Sequence, residues 1–275
     1  CACRGTAGFA HVSCLAEQAK ILYAEAEENN LGWKAFNERW QRWAKCGLCE
    51  QMYHGLVSCA LGWACWKAYV GRPESDEARR AAMGTVGTGL SHANHHEDAL
   101  SVKEANLAMC RRLGADEQTI LATQSNLAMT YRAFGRDEQA LDLQREVYSV
   151  SLRLFGEHVH TLRAANNYAS SLVSLQRFEE ARTLLRKTMP VARRVLGDSN
   201  DITLRMRRDY AKALYEDDTA TLDDLREAVT TLEDTERTAR RVLGGAHPFM
   251  MNIECALQPS REVLRTRAGA AVTAV

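Results

Sequence analysis

A chain of 275 residues, 46% apolar and 25% charged, can bury one large core or two smaller ones and is not globally disordered. Its 35 basic and 35 acidic residues cancel, so bulk charge draws it toward neither nucleic acid nor membrane, and neither is expected as a partner. Nine cysteines, an odd number with no secretory signal ahead of them, point to reduced thiols and metal ligation, and so to a soluble, cytoplasmic protein. The chain begins at Cys1 rather than Met, which reads as a fragment or a processed product.

Five cysteines and a histidine open the chain as three pairs: Cys1 and Cys3, His11 and Cys14, Cys46 and Cys49. Zinc takes four thiolate or imidazole ligands, and short loops present them in pairs. Two full sites need eight ligands, so one pair is missing. Between Cys14 and Cys46 the pattern is helical: Leu15, Ala19, Leu22, Tyr23 and Ala26 lie on one face. A break follows at Asn29-Asn30, then a second segment with Trp33, Phe36, Trp40 and Trp43. The alternative for the cluster is five packed thiols and a core histidine without metal.

The order Cys-x-Cys, seven residues, His-x-x-Cys, an interval and Cys-x-x-Cys resembles the RING-CH zinc fingers from their third ligand onward. Cys3-Arg4-Gly5, Gly8-Phe9, His11-Val12-Ser13-Cys14-Leu15 and Cys46-Gly47-Leu48-Cys49-Glu50 with Tyr53 carry the likeness over about the first 52 residues. The resemblance implies Zn(2+) held by Cys1, Cys3, Cys46 and Cys49, with His11 and Cys14 as half of a second site. The interval of 31 residues before Cys46 exceeds the family's usual one. Trp40 and Trp43 then either cover the zinc core or form a docking surface.

From Met52 to Val70 one helix is expected, apolar almost all round and therefore buried, with Cys59 and Cys65 as packing residues. Its most apolar run, Leu56 to Trp66, is shorter than the roughly 20 residues a membrane span needs. Gly71-Arg72-Pro73 breaks the pattern, and Ser75 or Asp76 can cap the next helix.

Past residue 80 the sequence repeats. Ala99, Ala140 and Ala181 are 41 apart, and Gly114, Gly156 and Gly197 keep nearly the same period. Asn126-Leu127-Ala128 returns as Asn167-Tyr168-Ala169 and as Asp209-Tyr210-Ala211. A period of this length built from two helices predicts a solenoid of helix pairs. The unit resembles the tetratricopeptide repeat in the longer form of kinesin light chains, over about residues 81–248 in four units. The fourth is stretched near Glu216–Asp224, and Pro190 is expected to kink the third unit's second helix.

The expected fold is mostly α: a partial zinc-bound RING-CH-like module over 1–52, a connecting helix and linker over 53–80, an α-α solenoid of tetratricopeptide-type repeats over 81–248, and a capping helix with a frayed tail over 249–275. In such arrays partners bind the face of the first helices. Alignment of the units puts Asn126 and Arg132, then Arg163, Asn166 and Asn167, then Arg205, Arg208 and Lys212 on it. Five of these eight are basic, which suits an acidic peptide; the alternative is a solvated face of internal ion pairs. His92, His95 and His96, like His158 and His160, fall in expected turns, and no motif suggests catalysis. Three functions stay open: a zinc-containing scaffold recruiting a protein or peptide, a ligase docking a ubiquitin-conjugating enzyme as RING-CH resemblance implies, and a cargo adaptor of the kinesin-light-chain kind.

Overall fold

The computed structural model describes residues 10–48, 50–245 and 247–273. The expected ligands Cys1, Cys3 and Cys49 lie outside them. Twelve α-helices and one short 3-10 turn make up the described chain, with no strand, and it divides into two compact units, residues 1–136 and 137–275.

In the first unit, α1 (Val12–Glu28) and α2 (Trp33–Trp40) take the two apolar segments, and Asn30, at φ +47°, makes the break between them. A 3-10 turn, Gln41–Trp43, leads to α3 (Gly55–Tyr69). Trp43 is buried: its ring packs edge-on against Tyr69 at 6.1 Å, within a cluster of Ala19, Tyr23, Cys65 and Ala82. Tyr23 meets Phe36, Trp40 and Tyr69 at 4.8, 4.9 and 5.4 Å. Offset and edge-on aromatic contacts of this kind add to the burial of their area. Arg72 closes the cluster, its guanidinium 5.0 Å from the Tyr69 ring and forked onto Glu27 at 2.5 and 2.7 Å.

The α3 helix is not buried all round, as its composition predicts. Leu61 and Cys65 are sealed, and burial pushes the Cys65 thiol up, but Leu56 and Trp63 are 78% and 44% exposed. Its inner face meets α4 (Glu77–His92), whose first turn Asp76 caps through the amides of Ala78 and Arg79, as the sequence suggests. Next come α5 (His96–Arg112) and α6 (Glu117–Ala133).

The second unit stacks α7 (Asp137–Phe155), α8 (Val159–Ser174), α9 (Phe178–Leu196), α10 (Asp201–Tyr215), α11 (Leu222–Leu243) and α12 (Pro248–Thr273), each against the next. The first helices α8 and α10 also touch each other, as helix-pair stacking requires. Small residues line the helix contacts of this unit: Ala165, Ala169, Ala192, Ala211 and Ala228 are fully buried. A tyrosine links each first helix to the preceding second helix: Arg145 donates to the Tyr168 hydroxyl at 3.3 Å, and Arg186 to that of Tyr210 at 3.2 Å.

The α9 helix is continuous across Pro190, so the lost N–H hydrogen bond does not end it. The carboxyl-terminal helix is longer than expected, since α12 runs 26 residues to Thr273. It also secures the fourth unit's extra residues, since Arg267 donates to the carbonyls of Ala220 and Asp218 at 2.7 and 2.6 Å.

Candidate functional site

The amino-terminal thiols occupy two kinds of setting. His11 precedes α1 and Cys14 sits in its first turn, both exposed. Cys46 is buried against Tyr53 and Leu61, beside Val12, Leu15 and Ala16 of α1. Around it the backbone folds tightly: Cys46 N donates to Gln51 O at 2.9 Å, Glu50 N to Cys46 O at 3.1 Å, and Leu48 N to Cys46 Sγ at 3.5 Å. Among the described residues no three His, Cys, Asp or Glu side chains are grouped to hold a metal ion.

The first unit contains a cleft of about 400 Å³. Successive turns of α4 give it Arg80, Gly84 and Thr88, while α6 gives Thr123 and Asn126. Asn106 and Cys110 of α5 line it as well. Gly84 keeps it open, since a Cβ there would meet only Asn106 Nδ2, at 3.5 Å. Trp43, Met52 and Ser58 add a wall from the amino-terminal segment. Of the eight residues assigned to a binding face, Asn126 lies in this cleft and Arg132 ends α6 in the same unit. The α4 and α5 contributions, Arg80 above all, escaped the sequence reading because the first unit's landmarks are the weakest. Arg80 keeps a buried Nε without a hydrogen-bond partner.

His92 is no solvated turn residue. It ends α4 half-buried, its Nδ1 2.9 Å from Ser58 Oγ and its ring 5.5 Å from that of His54. Burial, then His54 and Lys103, hold it below the ordinary imidazole value. Lys103 is the other unexpected group, only 5% exposed. Its Nζ donates to Thr130 Oγ1 at 2.7 Å, Ser91 Oγ at 2.9 Å and Asn126 O at 3.4 Å. Burial pushes it down to about 8.

In the second unit Arg163 is exposed, while Asn166 is buried with its Oδ1 unpaired and Asn167 is half-buried. The α10 cations are engaged within the chain. Arg205 reaches Asp201 at 2.9 Å, Arg208 reaches Asp209 at 2.6 Å and Lys212 reaches Glu216 at 3.5 Å. Both arginines lie over the Phe249 ring, at 5.3 and 5.6 Å. Two of these pairs are substantially exposed and worth little in themselves, so an incoming carboxylate competes with them at small cost.

Comparison with known proteins places this geometry. Two tetratricopeptide-repeat family models match, over residues 120–160 and 160–221. No curated protein sequence matches the chain. Solved structures of kinesin-light-chain TPR-like repeats from Podosopora anserina align at TM-scores of 0.54 and 0.52. Each has 17% identity and covers 85% of this chain and 98% of its own. BtubC (BKLC) from P. vanneervenii aligns at 0.50 with 12% identity, over 95% and 94%. At such identities the likeness is one of fold. Residues 120–221 are tetratricopeptide repeats, carried on a helical-repeat fold that kinesin-light-chain-like structures share.

Proposed function

We propose that the protein is an interaction scaffold whose repeats recruit a partner polypeptide through its carboxylates. The observation that carries this is the first-unit cleft, where the first helices α4 and α6 set Arg80 and Asn126 around a space of about 400 Å³. A guanidinium offers a planar fork for a side-chain carboxylate, and carboxamides and hydroxyls at the spacing of helical turns suit a peptide backbone. Arg163, Arg205 and Arg208 in the second unit extend the same preference. No step of catalysis is part of this reading, and neither a ubiquitin-conjugating enzyme nor a motor subunit is needed for it.

A displayed library of random peptides, selected on the full chain, tests it. Enriched peptides are expected to carry Asp or Glu. Their affinity should fall at least tenfold in Arg80→Glu, or in Arg163→Glu combined with Arg205→Glu, according to which unit holds them. Selected peptides without acidic residues, or with affinity indifferent to both reversals, would end the reading.

Zinc belongs to the proposal as a structural staple of the amino-terminal segment. An N–H aimed at Cys46 Sγ favours the thiolate that a metal needs, and Cys49 follows it at the spacing of a zinc-ligand pair. With Cys1 and Cys3 they would complete a four-thiolate set, and His11 with Cys14 would supply half of another. Protein purified without chelator is expected to hold about one zinc ion per chain and to lose it in Cys46→Ser. A metal-free preparation would exclude the staple and leave the repeat reading untouched.

A further inference from the structure

The second unit has an open cleft of about 500 Å³. Arg193 near the end of α9, Arg207 in α10, and Arg237 and Arg241 in the last turns of α11 converge there with Asp198 and Asp234. Four guanidiniums face two carboxylates, and both carboxylates are already taken. Asp198 accepts from Arg193 Nε at 2.7 Å, and Asp234 is held by Arg237.

Arg207 is left badly served. Its side chain is only 12% exposed, yet the nearest carboxylate oxygen, Asp234 Oδ2, is 3.9 Å away, beyond hydrogen-bond distance. Burial, and then Arg193, hold its guanidinium below the ordinary value. Arg241 is exposed and has no ion pair among the described residues. A desolvated cation without a close partner is costly to keep, so the arrangement is shaped for an anion brought from outside.

Charge and size define that anion. Two positive charges in excess match one dianion, and converging guanidinium forks match tetrahedral oxygens. Asp198 and Asp234 in its lining limit the negative charge it can take, and a chain whose charges sum to zero has no net attraction to an anionic membrane, which favours a phosphorylated protein over a lipid surface. We propose that this cleft binds a phosphate monoester dianion carried on a phosphorylated side chain of a partner protein. It opens beside the second helices α9 and α11, so it is a separate contact from the first-helix face and does not depend on it.

The test titrates the full chain with N-acetyl-O-phosphoserine amide, N-acetylserine amide, inorganic phosphate, and vesicles containing phosphatidylinositol phosphates. Binding is followed by NMR of the arginine Nε–H groups. The phosphoserine compound is expected to shift Arg207 saturably, and its dissociation constant should rise at least tenfold in Arg207→Gln and in Arg241→Gln. The unphosphorylated compound should leave the spectrum unchanged. Arg241 is exposed, so its variant keeps the fold even if Arg207→Gln does not. The proposal is overturned if no phosphate compound shifts Arg207, or if Arg241→Gln binds as the parent does. It fails equally if inorganic phosphate alone binds, or if only the vesicles do.

Discussion

Gly89→Ala is expected to lower the stability of the first unit by about 2–3 kcal/mol, while Gly84→Ala, one and a half turns earlier in the same helix, should raise it by up to about 1 kcal/mol. The difference is one of contact. A Cβ on Gly89 would stand 2.6 Å from Ser58 O and 2.9 Å from Cys59 Cα, both backbone atoms of α3. Backbone cannot step aside by changing rotamer, so the two helices must separate, and every pair along their crossing loosens. Gly62 mirrors this from the other side, its added Cβ lying 2.9 Å from Val86 Cα. At Gly84 the only neighbour is the Asn106 amide at 3.5 Å, an ordinary contact. There alanine simply restricts the unfolded chain and favours the helix. All five tryptophans lie in the first unit, so their fluorescence during urea unfolding reports on it selectively. If Gly89→Ala and Gly84→Ala unfold at the same urea concentration, the close α3–α4 crossing is not what holds this unit.

What the sequence disclosed follows what leaves a periodic trace. The repeats were readable because Ala99, Ala140 and Ala181, one per unit, must be small where helices touch, and all three are fully buried. Asp76 and the Gly71–Pro73 break were readable because capping and proline act locally. The length of α12 was not, since nothing within its own sequence reveals that Arg267 finds the loop at Asp218 and Ala220 some fifty residues earlier. The exposure of Leu56 and Trp63 was hidden for a related reason: composition shows that α3 is apolar but not which sides have neighbours.

The arginines of α10 make the point more sharply. At about 100° per residue Arg205 and Arg208 fall on nearby sides of a helix, whereas Arg207 is rotated away from Arg205 by about 200°. The first two meet the Phe249 ring; the third enters the cleft between α9 and α11. A run of basic residues therefore contained two surfaces, and only the helix's neighbours separate them. On the amino-terminal side the paired spacing of Cys1 with Cys3, His11 with Cys14 and Cys46 with Cys49 carries most of the case for zinc, because three of the expected ligands lie outside the described residues.

Lys103→Met is expected to stabilise the first unit at neutral pH, with a gain on the order of 3 kcal/mol that disappears as the pH rises from about 8 to about 10.5. Lys103 is held near 8 in the folded chain against an ordinary value of 10.5. Between those values the unfolded chain keeps a proton that the folded chain has released. Unfolding then takes up protons, so stability increases with pH across this window, and the full cost of burying the ammonium is borne below it. Methionine has nearly the same shape without the charge. Its introduction leaves Ser91 and Thr130 provided for, because their hydroxyls donate to Gly87 O at 3.1 Å and Asn126 O at 3.2 Å. The lysine only adds a proton to oxygens that already have an outlet for their own. Cys65, Tyr23 and Tyr69, which burial pushes the opposite way, weaken the fold at high pH in both proteins and cancel from the difference. His92, beside Lys103, gains its charge more readily once the ammonium is gone, so the comparison belongs above pH 7.5, where His92 is neutral in either case. Tryptophan-monitored unfolding of the two proteins at pH 7.5 and 10 measures the effect. A difference in stability that stays constant over that range would mean that Lys103 is not a buried, desolvated cation.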